Sequence, residues 1–298
     1  MYFDNAEGPV FRPPSEADSL ILRVTIGCSH NACTYCNMYR SVAFRMRPQE
    51  EIDAQLQQAQ RYAAHIHRVF LGDGNALVLP TERLLAILAQ IHALLPKVRR
   101  VSCYAGPKDM LRKTPEELIS LRQAGLKLVY YGMESGDDAV LAHVNKGVTA
   151  AESIEAGQRI VAAGIKLSMM VILGLGGQEA SARHARNTAL AVSAIRPHML
   201  SALTLMMYRG SELLEEFESG RFPILSPAGI MEELHLLLQG IELPPEHHCL
   251  FRSNHISNYI NFAGTLPKDK ERLLSESLAA KDKLALLKNW DPYNNVER

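Results

Sequence analysis

Apolar strand-like runs alternate with helical patterns at roughly 30-residue intervals over most of the chain, and this alternation limits the fold more than any other feature. The runs are LILRVTI (20–26), HRVFLG (67–72), VRRVSCYA (98–105), LKLVYYGME (126–134), IKLSMMVILG (165–174) and HMLSALTLMM (198–207). Helical patterns separate them over residues 48–64, 84–95, 114–125, 152–164 and 180–195. The third is the best bounded: Thr114 is placed as N-cap, Pro115 at the first helical position, Glu117 as the return half of a capping box and Gly125 as terminator. Near-continuous apolar strands belong to a parallel sheet covered by helices, so the chain reads as α/β. A doubly wound open sheet and a curved, barrel-like sheet both satisfy this pattern. Both place ligands at the carboxyl ends of the strands. The segments LGDGN (71–75), GMESG (132–136) and LGLGG (173–177) fall at such ends, as does a cysteine-bearing loop after the first run.

Composition narrows the partners. Thirty-two Lys and Arg balance 32 Asp and Glu across 298 residues, so a nucleic-acid partner is unsupported: a phosphate backbone normally selects a basic excess or stripe. The first residues, MYFDNAEGPVFRPPSEADS, lack the apolar core of a secretory signal. No run reaches the ~18 apolar residues of a membrane helix, and the chain is expected to be cytoplasmic. Structural disulfides are uncommon in that compartment, and five cysteines is an odd count.

Three of the five, Cys28, Cys33 and Cys36, form a C-x4-C-x2-C loop. Soft thiolates gathered on one short loop suit zinc or an iron-sulfur cluster. A Cys3His zinc site using His30 is one reading, although no second cysteine knuckle follows to close it. Three cysteines without a fourth fit a [4Fe-4S] cluster with one iron open to a small molecule. Cys103, inside a strand, reads as a core thiol, and His247, His248 and Cys249 read as ordinary residues.

With its accompanying motifs the loop resembles that of the radical SAM superfamily, over residues 18 to about 240. Tyr35 matches the family's C-x-aromatic-C ending, where the backbone approaches an adenine. Gly72, Asp73 and Gly74 stand in the place of its glycine-rich acidic motif, Asp73 corresponding to the acceptor for the methionine ammonium. Glu134 and Ser135, followed by Gly136, look like its ESG segment beside the sulfonium or ribose. Gly174 opens the stretch similar to the family's G-x-x-G, and residues 208–211 (YRGS) resemble the region that closes the nucleotide site. The spacing departs from the family's usual x3 then x2 by one residue, and the acid of the glycine-rich motif stands in its middle.

The resemblance implies a partial (β/α)6 TIM-like barrel with a C-terminal helical extension: an arm over 1–17, a core domain over 18–240, and a segment over 241–298 covering the rim. It implies a [4Fe-4S] cluster on Cys28, Cys33 and Cys36, S-adenosyl-L-methionine (SAM) on the open iron, and a flavodoxin or ferredoxin-type electron donor. The implied activity is reductive cleavage to a 5'-deoxyadenosyl radical that abstracts hydrogen from a small-molecule substrate. Oxidoreductase, transferase and lyase chemistry all remain open.

The polar stretch at 251–259 (FRSNHISNY) offers Arg252, Asn254, His255 and Asn258 as substrate contacts if it forms one more strand end; a solvated loop before a final helix at 268–288 is the competing reading. A zinc-stabilised binding module and a single-cluster electron carrier are the rival functions. The first is distinguished by metal content; the second does not need nucleotide motifs on three strand ends.

Overall fold

A computed structural model describes residue 1, residues 8–287 and residues 290–297. Residues 2–7 of the expected arm and Lys288 at the expected end of the last helix lie outside the described residues. After a 3-10 turn at Pro14–Glu16 the chain forms β1 (Leu20–Arg23), β2 (Thr25–Ile26), β3 (Arg45–Met46), α1 (Gln49–Gln60), β4 (Arg68–Gly72), α2 (Thr81–Leu94), β5 (Arg100–Ala105), α3 (Pro107–Leu111), α4 (Pro115–Gln123) and β6 (Leu126–Glu134). It continues through α5 (Asp138–His143), α6 (Ala150–Ala162), β7 (Lys166–Leu173), α7 (Gly177–Ile195), β8 (Met199–Thr204), β9 (Met207–Tyr208), α8 (Glu212–Glu218), α9 (Pro227–Gly240), β10 (Cys249–Arg252), β11 (Ala263–Leu266), α10 (Lys270–Ala285) and β12 (Val296–Glu297).

Eight strands form one sheet in the order β1, β4, β5, β6, β7, β8, β10, β11. β1 with β4, β4 with β5, β5 with β6, β7 with β8 and β8 with β10 run parallel; β10 and β11 are antiparallel. The six strands expected from periodicity are its first six members, and the fold is α/β as expected. Of the other two, β10 overlaps the start of the stretch at 251–259 that was open between strand and loop, and β11 follows that stretch. β10 has four residues in alternating burial, with Cys249 and Phe251 inward, which is too short for a clear period. The capping box of α4 is present as expected, Thr114 Oγ1 accepting from the Glu117 amide and Glu117 Oε2 from the Thr114 amide. The turn-rich segment 135–147 contains the six-residue α5, capped by Asp137 at 3.1 Å from the Val140 amide and again too short to show a period.

Contacts divide the chain into two compact units. The first comprises Met1–Asn31, Met38–Tyr131 and Arg159–Leu167. On its strands Phe70, Tyr104 and Tyr130 pack edge to face, and the Tyr130 hydroxyl donates to the fully buried Glu16 at 2.6 Å. Arg100 closes that carboxylate at 2.8 Å. The second comprises Ala32–Asn37, Gly132–Gln158 and Ser168–Arg298. Its β7 and β8 pair in register, and α9 packs against α7 and α10. A buried apolar cluster joins Tyr35, Val144, Leu175, Met207, Leu213 and Phe222 in the same unit.

Candidate functional site

The cysteine loop passes from the first unit to the second between Asn31 and Ala32. Its leading end begins with a charge in an apolar strand. Arg23 terminates β1 and is fully buried, which is tolerable only against a partner. The parallel register sets Arg23 beside Gly72, so the next residue of that chain, Asp73, meets the guanidinium. Nε lies 3.1 Å from both carboxylate oxygens and Nη2 lies 2.5 Å from Oδ2. Gln55 of α1 accepts from the Arg23 amide and donates to its carbonyl, both at 3.0 Å. Asp73, expected to receive a ligand ammonium, is thus occupied by Arg23. The fifty residues between the two hide this pairing from sequence reasoning.

Asp73 also reaches the loop, accepting from the Gly27 amide at 3.2 Å, while the Gly74 amide donates to the Gly27 carbonyl at 3.1 Å. Asn75 accepts from the Ser29 amide at 3.1 Å and donates to the Ser29 hydroxyl and to Asp109, the latter at 2.5 Å. Burial pushes the Asp109 carboxyl up, opposed by Asn75. A Cβ on Gly74 would stand 3.0 Å from both Cα and Cβ of Cys28, so a glycine here lets the two segments approach without displacing Cys28. Asn31 takes a left-handed φ of 42° and donates to the Tyr39 carbonyl at 2.9 Å. The Tyr39 hydroxyl is buried without a hydrogen-bond partner; burial and then the nearby Asp73 charge push its pKa up. Cys28 and Tyr104 are further charge neighbours of that hydroxyl.

The trailing end is held differently. The Thr34 amide donates to the Val144 carbonyl at 3.1 Å, the Leu213 amide to the Thr34 carbonyl at 3.2 Å, Asn145 to the Ala32 carbonyl at 3.0 Å and Asn37 to the Arg209 carbonyl at 3.1 Å. Tyr35, expected beside an adenine, buries its ring in the apolar cluster, against which Cys33 and Cys36 also pack. Its hydroxyl bonds Glu134, and burial followed by the Glu134 charge raises its pKa. The Thr34 hydroxyl is buried without a partner. All three loop cysteines stand outside any disulfide and are half-buried. Cys103 and Cys249 are buried, and burial pushes each thiol up to about 12.

Beyond β6 the chain turns sharply. Glu134 has a φ of 68°, a conformation rare outside glycine, and pairs with Lys146 at 3.1 Å. Ser135 is fully buried, its hydroxyl 2.8 Å from His184 Nδ1 and accepting from the Asp137 amide at 3.0 Å. His184 Nε2 lies 3.1 Å from the Ile172 carbonyl and 3.5 Å from Glu233. Glu233 is fully buried and accepts from the Gly174 amide at 2.6 Å and the Ser181 hydroxyl at 2.5 Å. Burial pushes its carboxyl up, with His184 the main opposing influence. The ESG and LGLGG segments are therefore tied together through His184 and Glu233. Sequence analysis missed both, though Glu233 carries a signal: it lies on the helical stripe of Ile230, Leu234 and Leu237. Gly174 lines a recess with Thr204, Leu205, Met207, Ile224 and Ile230.

Of the substrate candidates, Asn258 and His255 are joined by a bond from the Asn258 amide to the His255 carbonyl at 3.0 Å. Asn258 accepts from the Thr204 amide at 2.8 Å and donates to the Ala202 carbonyl at 3.0 Å, which sets it at the end of β8. His255 bonds the Ser257 hydroxyl at 2.8 Å, and burial lowers its pKa. Arg252 donates to the Phe251 and Gly264 carbonyls at 2.6 and 3.1 Å, and Asn254 is exposed. Among the described residues, no group of three or more His, Cys, Asp and Glu side chains is placed to hold a single metal ion. No helix among them is long and apolar enough to cross a membrane.

A family model described as the Radical SAM superfamily matches residues 22–185. Among curated proteins, a tRNA-2-methylthio-N(6)-dimethylallyladenosine synthase of Dehalococcoides mccartyi is 29% identical over 170 residues, covering 55% of this chain and 39% of that protein. A heme chaperone HemW of Mycobacterium tuberculosis is 28% identical over 171 residues, covering 56% and 43%. The match thus spans less than half the length of these relatives. Among solved structures, coproporphyrinogen III oxidase (HemN) from Escherichia coli aligns with a TM-score of 0.54 at 16% identity, over 74% of this chain and 52% of that one. Methylornithine synthase (PylB) aligns with a TM-score of 0.52 at 16% identity, over 75% and 63%. At such identities the structural likeness speaks for the fold.

Proposed function

The chain belongs to the radical SAM superfamily, whose members use a [4Fe-4S] cluster and SAM, and from that premise we propose that Cys28, Cys33 and Cys36 hold such a cluster in an enzyme acting on a small molecule. The observation that carries this is the donor set. Three half-buried cysteines outside any disulfide share one loop, while the other two cysteines are buried. Two buried hydroxyls without partners, Thr34 in the loop and Tyr39 close behind it, are the kind of groups a bound polar ligand satisfies. A structural zinc site asks for four ligands around one ion, and the sequence has no second cysteine knuckle to complete one.

When bound, the cluster and SAM supply one-electron cleavage of the sulfonium and hydrogen-atom abstraction. The protein's residues divide into those that border the ligand and those that hold the former in place. Gly72, Gly74 and Gly174 offer backbone, and Glu134 offers a carboxylate held by Lys146. Tyr35, Asp73 and Ser135 are engaged within the fold, so their part is to orient the loop, the turn after β4 and the ESG turn. Asn258 and, through Ser257, His255 adjoin the end of β8 and are the substrate-side residues best supported; Arg252 and Asn254 are more distant candidates. Residues 18–240 form the catalytic core and 241–298 an appended segment, with a flavodoxin or ferredoxin-type protein delivering electrons in the cytoplasm. Balanced charge favours a small substrate over the tRNA named for one relative.

Anaerobic reconstitution is expected to give about four irons per chain and a brown chromophore. A colourless protein holding one zinc rejects the cluster. Reduction in the presence of SAM that yields no 5'-deoxyadenosine rejects the enzymatic reading even if iron is bound.

A further inference from the structure

The residues on either side of Cys28 have three polar backbone groups taken by one short segment. The Gly27 amide meets Asp73 at 3.2 Å, the Gly27 carbonyl meets the Gly74 amide at 3.1 Å, and the Ser29 amide meets Asn75 at 3.1 Å. Gly74 also lies against Cys28 so closely that an added Cβ would stand 3.0 Å from its Cα and Cβ and would press the two segments apart. These partners are themselves fixed. Arg23 holds the Asp73 carboxylate through Nε and Nη2, sharing Oδ2 with the Gly27 amide, and Gln55 holds the Arg23 backbone. Asn75 has its amide nitrogen toward Asp109, which leaves its oxygen for the Ser29 amide; turning the group over would face two donors to each other.

We infer that the turn from Gly72 to Asn75 is a clamp for Cys28, in which Arg23, Asp73 and Asn75 are positioning residues that fix the thiol's backbone before iron arrives. The inference rests on Cys28 being a cluster ligand. It gives the LGDGN segment a task toward the metal rather than toward the ammonium of the cosubstrate. It also separates Cys28 from Cys33 and Cys36, around which the loop backbone is held from Val144 and Leu213.

The test is site-resolved alkylation of the full chain purified without its cluster, read by peptide mass spectrometry. In Asn75→Ala, Cys28 is expected to react about tenfold faster than in the parent, as local opening becomes easier by one buried hydrogen bond, and in Asp73→Asn, which also strands the buried Arg23 charge, faster still. Cys33 and Cys36 keep their rates, and Cys103 and Cys249 stay protected, which a general loss of structure does not allow. An unchanged Cys28 rate in a chain that still protects Cys103 and Cys249 overturns the clamp. Should both variants expose the buried thiols, hydrogen exchange of the parent decides: slow exchange at the Gly27 and Ser29 amides supports the clamp, and exchange at the unstructured rate overturns it. After reconstitution, a chelator is expected to strip iron from Asn75→Ala several-fold faster than from the parent. A parent that takes up no iron rejects the cluster proposal alone, because the labelling and exchange results still judge the clamp.

Discussion

Cys28 and the pair Cys33 and Cys36 are near neighbours in sequence, yet different physics holds them. Around Cys28 the restraints are charged and directional: a buried Arg23 and Asp73 pair, a side-chain amide and a glycine contact. Around Cys33 and Cys36 they are backbone hydrogen bonds to the 144 and 213 regions and the Tyr35 ring in an apolar cluster. Buried charge is costly to desolvate and fails badly when one partner is lost, whereas apolar packing relaxes around a deletion. The leading end of the loop is therefore the more precise and the more brittle.

That contrast can be broken by substitution. The largest expected effect is at the pair: Arg23→Ala strands a buried carboxylate and is expected to cost about 3 to 5 kcal/mol in urea unfolding. A smaller loss there means that Asp73 is neutralised by protons or water instead. In the apolar half, Leu213→Ala removes a fully buried side chain and is expected to cost about 2 to 5 kcal/mol, while the Cys28 alkylation rate stays at its parent value. Equal acceleration at Cys28, Cys33 and Cys36 erases the distinction between the two ends.

Glu233 gives a pH-dependent test within the second unit. Its carboxyl is raised in the folded chain, so the folded state holds the proton more tightly, and stability is greatest below the unfolded value of about 4.3. It falls as pH rises from there through the raised folded value. Around this group stand His184, Ser181 and the Gly174 amide. Glu233→Gln is expected to flatten that decline in thermal melts, and parallel pH profiles for parent and variant reject the assignment. The smallest effect is at Tyr39. Deleting its unpartnered hydroxyl in Tyr39→Phe is expected to leave the cluster-free chain unchanged or more stable by up to about 1 kcal/mol. A clear destabilisation means the hydroxyl has a partner after all.

The six principal strands, the capping box of α4 and the position of the cysteine loop were legible because each depends on near neighbours in sequence or on long apolar runs. The short elements α5 and β10 were not, because six and four residues give too few turns or alternations to count. The roles of Asp73 and Ser135 were illegible for another reason. Their partners, Arg23 and His184, come from other elements about fifty residues away, and only strand register and helix packing bring them together. An arginine inside LILRVTI was the available hint, since a charge within a buried strand asks for a counter-charge at its end.

Cys103 and Cys249, kept protonated and out of reach by the sheet, limit what air does to this protein. Oxygen damage falls on accessible thiols first, and here those three lie within a single loop. A preparation made in air is therefore expected to keep its fold while its loop climbs to sulfenic acid or a disulfide, and reductant returns it to service without refolding.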